Sequence, residues 1–280
     1  ITSNQGYGGY TFGDIMDAVS TGSYAYKVLN YDLKWETSEQ LNIGMDAAFF
    51  DSRFKVELDW YRKVTKDWLV TAPVLMSWGA NAPSINGGAV RNTGVELGLH
   101  WNDNVNEDFY YGVDFNLAYN NNKVTSIENS EGIIHGPSSV FWEGSDECFR
   151  AQVGEPIGFF YGYISDGIFQ NQKQIDEYKG ALLNGAKTAP GDVIWRDVDG
   201  NGTIDAGDRT KIGNPNPDFT MGLSFNLGWK GLDLGVTTYG AFGHQILKCY
   251  RDFSSSPLNN YTTDIYNRWH GEGTSNEFPR

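Results

Sequence analysis

The chain lacks the features that define several protein classes. It has only two cysteines among 280 residues, Cys148 and Cys249, which excludes a disulfide framework and leaves one bridge or two thiols as open alternatives. No run of 18 apolar residues occurs, so no transmembrane helix is expected, and the first residues lack a signal-peptide pattern. Acidic residues outnumber basic ones by 35 to 21, and without a Lys/Arg cluster no nucleic-acid partner is expected.

Motifs for catalysis are also missing. The four histidines are scattered, with no HExxH spacing, and no phosphate-binding glycine motif is present. The adjacent acids Asp146 and Glu147 do not define the separation across a sugar that a glycosidase requires. The sequence therefore predicts that the protein is not an enzyme.

What the sequence does contain is alternation with a period of two residues. In FKVELDWY (54–61), apolar side chains alternate with polar ones, as they do in a strand that has one apolar face. Five further segments share this pattern. The six predicted strands are 41–50, 54–61, 95–101, 109–119, 219–229 and 232–239.

The connections between these strands favour a membrane barrel over a soluble β-sandwich, which alternates in the same way. Short connections join the strands in pairs, and long ones separate the pairs, as in outer-membrane barrels with long extracellular loops. Aromatic residues crowd the short turns, and several strands have the ten or so residues that a tilted membrane strand needs. Six strands would leave two unpaired edges in lipid. We therefore expect residues 1–280 to form part of one larger transmembrane antiparallel β-barrel, with a long extracellular loop region at 120–218.

Several blocks of sequence resemble a known family. LKWETSEQLNIGMD, VRNTGVELGLHW and VGEPIGFFYGYISDGIFQN resemble the C-terminal part of the barrel in SusC/RagA TonB-dependent outer-membrane transporters. The block PGDVIWRDVDGNGTIDAGDRTKIGNPNPDF continues the match in the same order. The resemblance covers nearly the whole chain.

The resemblance implies a parent barrel of about 22 strands, a size within the known range for such barrels. It implies an N-terminal plug and a TonB-contacting segment, neither of which this sequence contains. It further implies a bacterial outer-membrane location, a SusD-like surface lipoprotein as a lid, TonB as a partner through the rest of the parent, and contact with outer-membrane lipid. The cargo would be nutrient oligosaccharides or, as the alternative, peptides. A soluble, calcium-stabilised carbohydrate-binding module is the rival from a different class.

The stretch DVDGNGTIDAGD (197–208) predicts a calcium loop. It fits the pattern D-x-[DN]-x-[DN]-G-x5-E, with aspartate at the last position in place of glutamate. A glycine at Gly202 permits the sharp turn that lets the oxygen donors converge on one ion. The alternative is an Asp/Asn/Gly-rich turn whose side chains bind their own backbone. The predicted Ca²⁺ ligands are Asp197, Asp199, Asn201, the Thr203 carbonyl, Asp205 and Asp208.

Loop aromatics are candidates for contact with cargo. Sugar rings stack on exposed aromatic faces, and a neighbouring carboxylate can accept hydrogen bonds from hydroxyl groups. Simple packing inside the loops is the alternative for each of them. The candidates are Trp78, Phe141, Trp142 and Glu143.

Overall fold

The computed structural model describes residues 9–11, 19–21, 27, 29–71, 81, 83–140, 145–183, 185–248 and 262–280, with backbone alone at 9–11, 19–21 and 71. These parts are almost entirely β-structure. The strands are β1 (Gly9–Thr11), β2 (Val19–Thr21), β3 (Thr37–Phe49), β4 (Phe54–Lys66), β5 (Leu69–Thr71), β6 (Ser84–Asn86), β7 (Gly88–Asn106), β8 (Phe109–Ile127), β9 (Ile133–His135), β10 (Phe149–Gln152), β11 (Phe159–Gly162), β12 (Ser165–Ile168), β13 (Val193–Trp195), β14 (Thr210–Gly213), β15 (Phe219–Trp229) and β16 (Leu232–Phe242). One α-helix, α1 (Gln172–Glu177), and 3-10 turns at Gly185–Lys187, Ala206–Asp208 and Thr263–Asn267 complete the described elements.

Six long strands form one antiparallel sheet in the order β16-β15-β8-β7-β4-β3. At one end of this sheet, short turns at 50–53, 107–108 and 230–231 join the strands in pairs. The long connections, 67–87 and 128–218, leave from the opposite end. The six segments predicted from alternating hydropathy are therefore six neighbouring strands, and the predicted asymmetry of the connections is confirmed.

The register of the sheet collects apolar side chains on one face. Directly paired residues in antiparallel strands point to the same side, so a single matched register builds a continuous surface. On this surface Ile43 and Leu234 are 62% and 54% exposed, so the face is not the core of a sandwich. One row across five strands consists of Ile43, Trp60, Val95, Tyr119 and Phe219.

The opposite face is polar and contains small residues at points of close approach. The ring of Tyr61 lies over Gly94, where an added Cβ would come within 2.6 Å of the ring. The Tyr61 hydroxyl then donates a hydrogen bond to Asn120 Oδ1 at 3.0 Å. Further along, His100 Nδ1 lies 2.7 Å from Asp114 Oδ1. This face therefore provides the polar wall expected of a barrel lumen.

Some strands extend beyond the limits that alternating hydropathy predicted. The predicted connection 102–108 shrinks to a two-residue turn because β7 continues to Asn106. The first residues of the predicted loop region 120–218 are strand, because β8 continues to Ile127. The ladder of β7 and β8 runs on through polar, asparagine-rich residues. Apolar and polar residues need to alternate only where one face of the sheet meets lipid. Strand pairing outside that zone therefore leaves no alternating hydropathy in the sequence.

The long connection after β8 forms a folded outer region on the extended ends of β7 and β8. Its first contact is a small core of Val90, Val124 and Ala151, with Val124 fully buried. Backbone hydrogen bonds reinforce this contact, since Val124 N–H donates to Glu155 and Gly154 N–H donates back to Val124, both at 2.9 Å. The outer region is thus attached directly to the sheet.

A second core lies further out and holds the last residues described. In this core, Phe169 packs with Ile175 of α1 and Ile194 of β13. The segment 262–280 docks beside this core: Asn276 accepts from Ile168 N–H at 3.0 Å, and Arg280 Nε donates to Asp192 at 2.9 Å.

No helix within the described residues is both long and apolar enough to span a membrane.

Candidate functional site

The predicted calcium loop brings three carboxylates together within the folded outer region. Oxygen atoms of Asp197, Asp199 and Asp208 all lie within 4.8 Å of one another. The sharp turn forms because Asp197 accepts the N–H groups of Gly200 at 2.7 Å and Gly202 at 2.9 Å. Gly200 and Gly202 have φ values of 73° and 84°, which a residue with a Cβ adopts only with strain.

The other three predicted ligands make local bonds beside this cluster. The Asn201 amide donates to Asp199 Oδ2 at 2.9 Å, and its oxygen accepts from Thr203 N–H at 2.7 Å. Asp205 caps the short 3-10 turn by accepting from Gly207 N–H at 2.7 Å. Side chains of the loop thus bind their own backbone, and three of its carboxylates lie close together.

Asp208 is fully buried and holds the two ends of the loop together. Its oxygens accept the N–H groups of Val198 at 2.7 Å and Asp205 at 2.8 Å. The bond from Asp205, together with that from Val198, holds the pKa of the Asp208 carboxyl below its ordinary value of 3.8, although burial opposes this. The last position of the motif is thus an ionised carboxylate in a fixed orientation.

A second polar cluster, which sequence reasoning missed, lies next to the loop. It consists of His135, Glu147, Arg150, Tyr161 and Arg209, and we call it the arginine cluster. The Arg150 guanidinium is nine-tenths buried, forms an ion pair with Glu147 and lies 3.3 Å from the centre of the Tyr161 ring. Arg209 lies 4.9 Å from that ring centre and donates to the Glu147 carbonyl at 2.5 Å. Because Arg209 directly follows Asp208, the cluster joins the carboxylate loop to β10.

Charges within this cluster shift two pKa values in opposite directions. The hydrogen bond to Glu147 raises the pKa of His135 above its ordinary value of 6.5, with Glu131 adding to the effect. Burial opposes ionisation of Glu147, but hydrogen bonds from His135 and Arg150 outweigh it and hold the Glu147 pKa below 4.5. A protonated His135 beside an ionised Glu147 is therefore the favoured pairing at mildly acidic pH.

The one sequence signal for the arginine cluster is Arg209, which directly follows Asp208, the last residue of the calcium motif. The partners of Arg209 lie about sixty positions earlier, so no spacing pattern could connect them.

The predicted cargo-contact residues Trp78, Phe141, Trp142 and Glu143 lie outside the described residues, as does Cys249. Trp195, next to the calcium loop, packs against Tyr163 with ring centres 5.8 Å apart.

Comparison with known proteins agrees with this architecture. Residues 2–138 match the family model "TonB dependent receptor-like, beta-barrel". Over 252 residues the chain is 33% identical to TonB-dependent receptor P3 of Formosa agariphila, covering 90% of this chain and 25% of that protein. It is 27% identical to TonB-dependent receptor SusC of Bacteroides thetaiotaomicron, covering 98% of this chain and 25% of that protein.

A solved structure of the RagAB peptide transporter superposes with a TM-score of 0.71 at 24% identity, covering 97% of this chain and 28% of that chain. At this identity the likeness concerns the fold. The chain spans about a quarter of the length of the curated relatives it matches.

The sheet with one apolar exposed face, short turns at one end and a folded outer region at the other is a section of an outer-membrane β-barrel. The chain belongs to the TonB-dependent receptor family, as its resemblance to SusC/RagA transporters predicted. This family consists of transporters and receptors, not of enzymes.

Proposed function

We propose that this chain supplies part of the wall and outer loops of a TonB-dependent importer of oligomeric nutrients. The main observation in support of this proposal is the six-stranded sheet. Its apolar face is exposed, and its outer end supports a folded loop region. Such a wall separates lipid from a polar lumen, and such loops can contact cargo before it enters. The chain has no catalytic role in this function.

Sequence resemblance favours oligosaccharides as the cargo, with peptides as the alternative. Kinship with SusC and the fold of the RagAB peptide transporter support a nutrient importer of this general kind. The remaining parts of the function are also proposed for the whole parent: a SusD-like lipoprotein lid over the outer loops, and TonB acting on a plug. Outer-membrane lipid would cover the apolar face of the sheet.

The test is gentle extraction of the parent protein from its own outer membrane, followed by native mass spectrometry. We expect a co-purifying lipoprotein together with hexose-spaced ligand masses. Peptide masses would be consistent with the importer function but would identify peptides, not oligosaccharides, as the cargo. A monodisperse species that is soluble without detergent and has no partner would contradict the importer and support a binding module. Deletion of the parent gene should abolish growth on the identified cargo.

We further propose that the loop at 197–208 binds a structural Ca²⁺. The donor set fits this hard cation, because Asp197, Asp199 and Asp208 offer carboxylate oxygens within 4.8 Å of one another. Asn201, the Thr203 carbonyl and Asp205 are the remaining donors of the motif and would complete the shell. The ion would neutralise the clustered carboxylates and fix the outer region, with no part in any reaction.

A further inference from the structure

A cavity lies at the outer end of the sheet, and His135 of the arginine cluster forms part of its lining. It has a volume of about 420 Å³ and lies among β5, β6, the end of β8 and β9. Its walls combine two kinds of residue. Val70, Ile85 and Ile127 provide apolar surface, and Glu128, Glu131 and His135 provide the polar part.

The polar part has net negative charge. His135 Nε2 lies 3.2 Å from Glu131, so a protonated His135 offsets about one carboxylate. Glu128 is exposed, and among the described residues its carboxylate has no hydrogen bond or ion pair; its backbone N–H donates to Gly87 at 2.9 Å. The cavity therefore keeps an uncompensated carboxylate beside an apolar surface.

Other features of the wall are poorly suited to a sugar. None of the described lining residues has an aromatic ring on which a sugar could stack. Asn129, the one lining amide, is already engaged: it donates to Ile133 O at 2.6 Å and accepts from Gly132 N–H at 2.7 Å. Ser130 is the one further uncharged hydrogen-bonding side chain among the described lining residues, so the missing stacking surface and the negative charge are what distinguish this cavity from a sugar site.

We propose that this cavity binds a lysine or arginine side chain of a peptide cargo. The methylene stem would lie on Val70, Ile85 and Ile127 while the cationic head meets Glu128 and Glu131, the arrangement that long basic side chains adopt at apolar surfaces. The volume lies at the small end of the range for ligand pockets, so it accommodates one side chain with its adjacent backbone. The proposal rests on the importer function, takes the peptide alternative for its cargo, and narrows that alternative to peptides that carry a basic residue.

The experiment measures peptide binding to the detergent-purified parent protein by fluorescence anisotropy. One probe is a labelled hexapeptide with a central lysine between leucines, and the second probe has norleucine in place of that lysine. The variant is Glu128→Gln combined with Glu131→Gln. The matched control is Glu177→Gln, an exposed acid of α1 that does not line the cavity.

We expect the wild type to bind the lysine peptide at least tenfold more tightly than the norleucine peptide. The double variant should lose this preference, with roughly a tenfold higher Kd for the lysine peptide alone, while the control keeps it. Equal affinity of the wild type for both peptides, or an unchanged preference in the double variant, would overturn the proposal.

Uptake assays separate this outcome from a failure of the importer function. If cells import an oligosaccharide through the parent protein and the lysine peptide is not preferred, the cavity assignment fails and the importer stands. If deletion of the parent gene affects uptake of neither class, the importer function fails, and the cavity assignment fails with it.

Discussion

The carboxylate of Asp208 accepts the N–H of Val198 at 2.7 Å, closing the loop that begins with Asp197. This bond places the last residue of the motif against the second, and Asp208 has no exposed surface. Its neighbour Arg209 continues into the arginine cluster through the carbonyl of Glu147. A structural change in the loop can therefore be transmitted towards β10 through Asp208 and Arg209.

Substitution of Asp199 tests the proposed metal. In the parent protein, Asp199→Ala should abolish the rise in Tm that millimolar Ca²⁺ produces, because it removes one of the three converging carboxylates. The measurement is a thermal melt with Ca²⁺ and with EDTA. Asp176→Ala, an acid of α1 outside the loop, should keep the full shift. A Ca²⁺-dependent rise in Tm that persists in Asp199→Ala would contradict the assignment of a Ca²⁺ site to this loop.

Truncation of Val124 tests the attachment of the outer region to the sheet. Val124 is fully buried in the core with Val90 and Ala151, so Val124→Ala should destabilise this region by about 1–3 kcal/mol, between the usual costs of smaller and larger core truncations. The readout is limited proteolysis of residues 128–218 in the folded parent. Val140→Ala, at a side chain 48% exposed, should leave the cleavage rate unchanged. Equal rates for both variants would show that this core does not hold the outer region.

An arginine on the apolar face tests which side of the sheet meets lipid. Leu223 pairs with Phe115 and Thr238 near the middle of the apolar face. Leu223→Arg should destabilise the barrel by about 2–4 kcal/mol, the cost of a cation near the bilayer midplane. The neighbouring Ser224→Arg points to the lumen face beside Asp114 and should cost far less. Urea unfolding of the parent in lipid vesicles gives both values; the reverse order would invert the assignment of the faces.

The opposed pKa shifts of His135 and Glu147 predict a pH window. Since the His135 pKa is raised above 6.5 on folding, its contribution is complete below pH 6.5 and is lost as the pH rises through the raised value. Since the Glu147 pKa is lowered below 4.5, its contribution is complete above pH 4.5 and is lost as the pH falls through the lowered value. The β9–β10 pairing should therefore be most stable between about pH 4.5 and 6.5.

Hydrogen exchange of the amides in residues 133–152, at pH 5.5 and 8.5 after correction for intrinsic rates, measures this window. Protection should be higher at pH 5.5 in the wild type. His135→Gln should remove the difference, and His270→Gln, at a histidine bonded to the Arg268 carbonyl away from this pairing, should retain it. If the difference in protection between the two pH values persists in His135→Gln, another group must be responsible for the titration.

The middle of the sheet was predictable from sequence because lipid and lumen impose a two-residue alternation there. The segment 54–61 showed it plainly, and its pairing with β3 and β7 follows from the same pattern. The ends of β7 and β8 were not predictable, because residues such as Asn121 and Asn122 pair in a wet environment that puts no constraint on alternation. The acidic motif was visible because its oxygen-bearing residues are local in sequence, whereas the arginine cluster joins residues from three separate strands and their flanks.

The sequence by itself determined the membrane-facing strands, the family and the acidic loop, since each depends on local periodicity or on contiguous motifs. Only the tertiary structure decided which three carboxylates of that loop converge, that Arg209 meets Glu147, and that Ile85, Ile127 and Glu128 enclose a cavity. The physical reason is that these contacts depend on how the outer region folds back onto the strand ends. That path is set by small cores such as Val90, Val124 and Ala151, whose members are far apart in the chain.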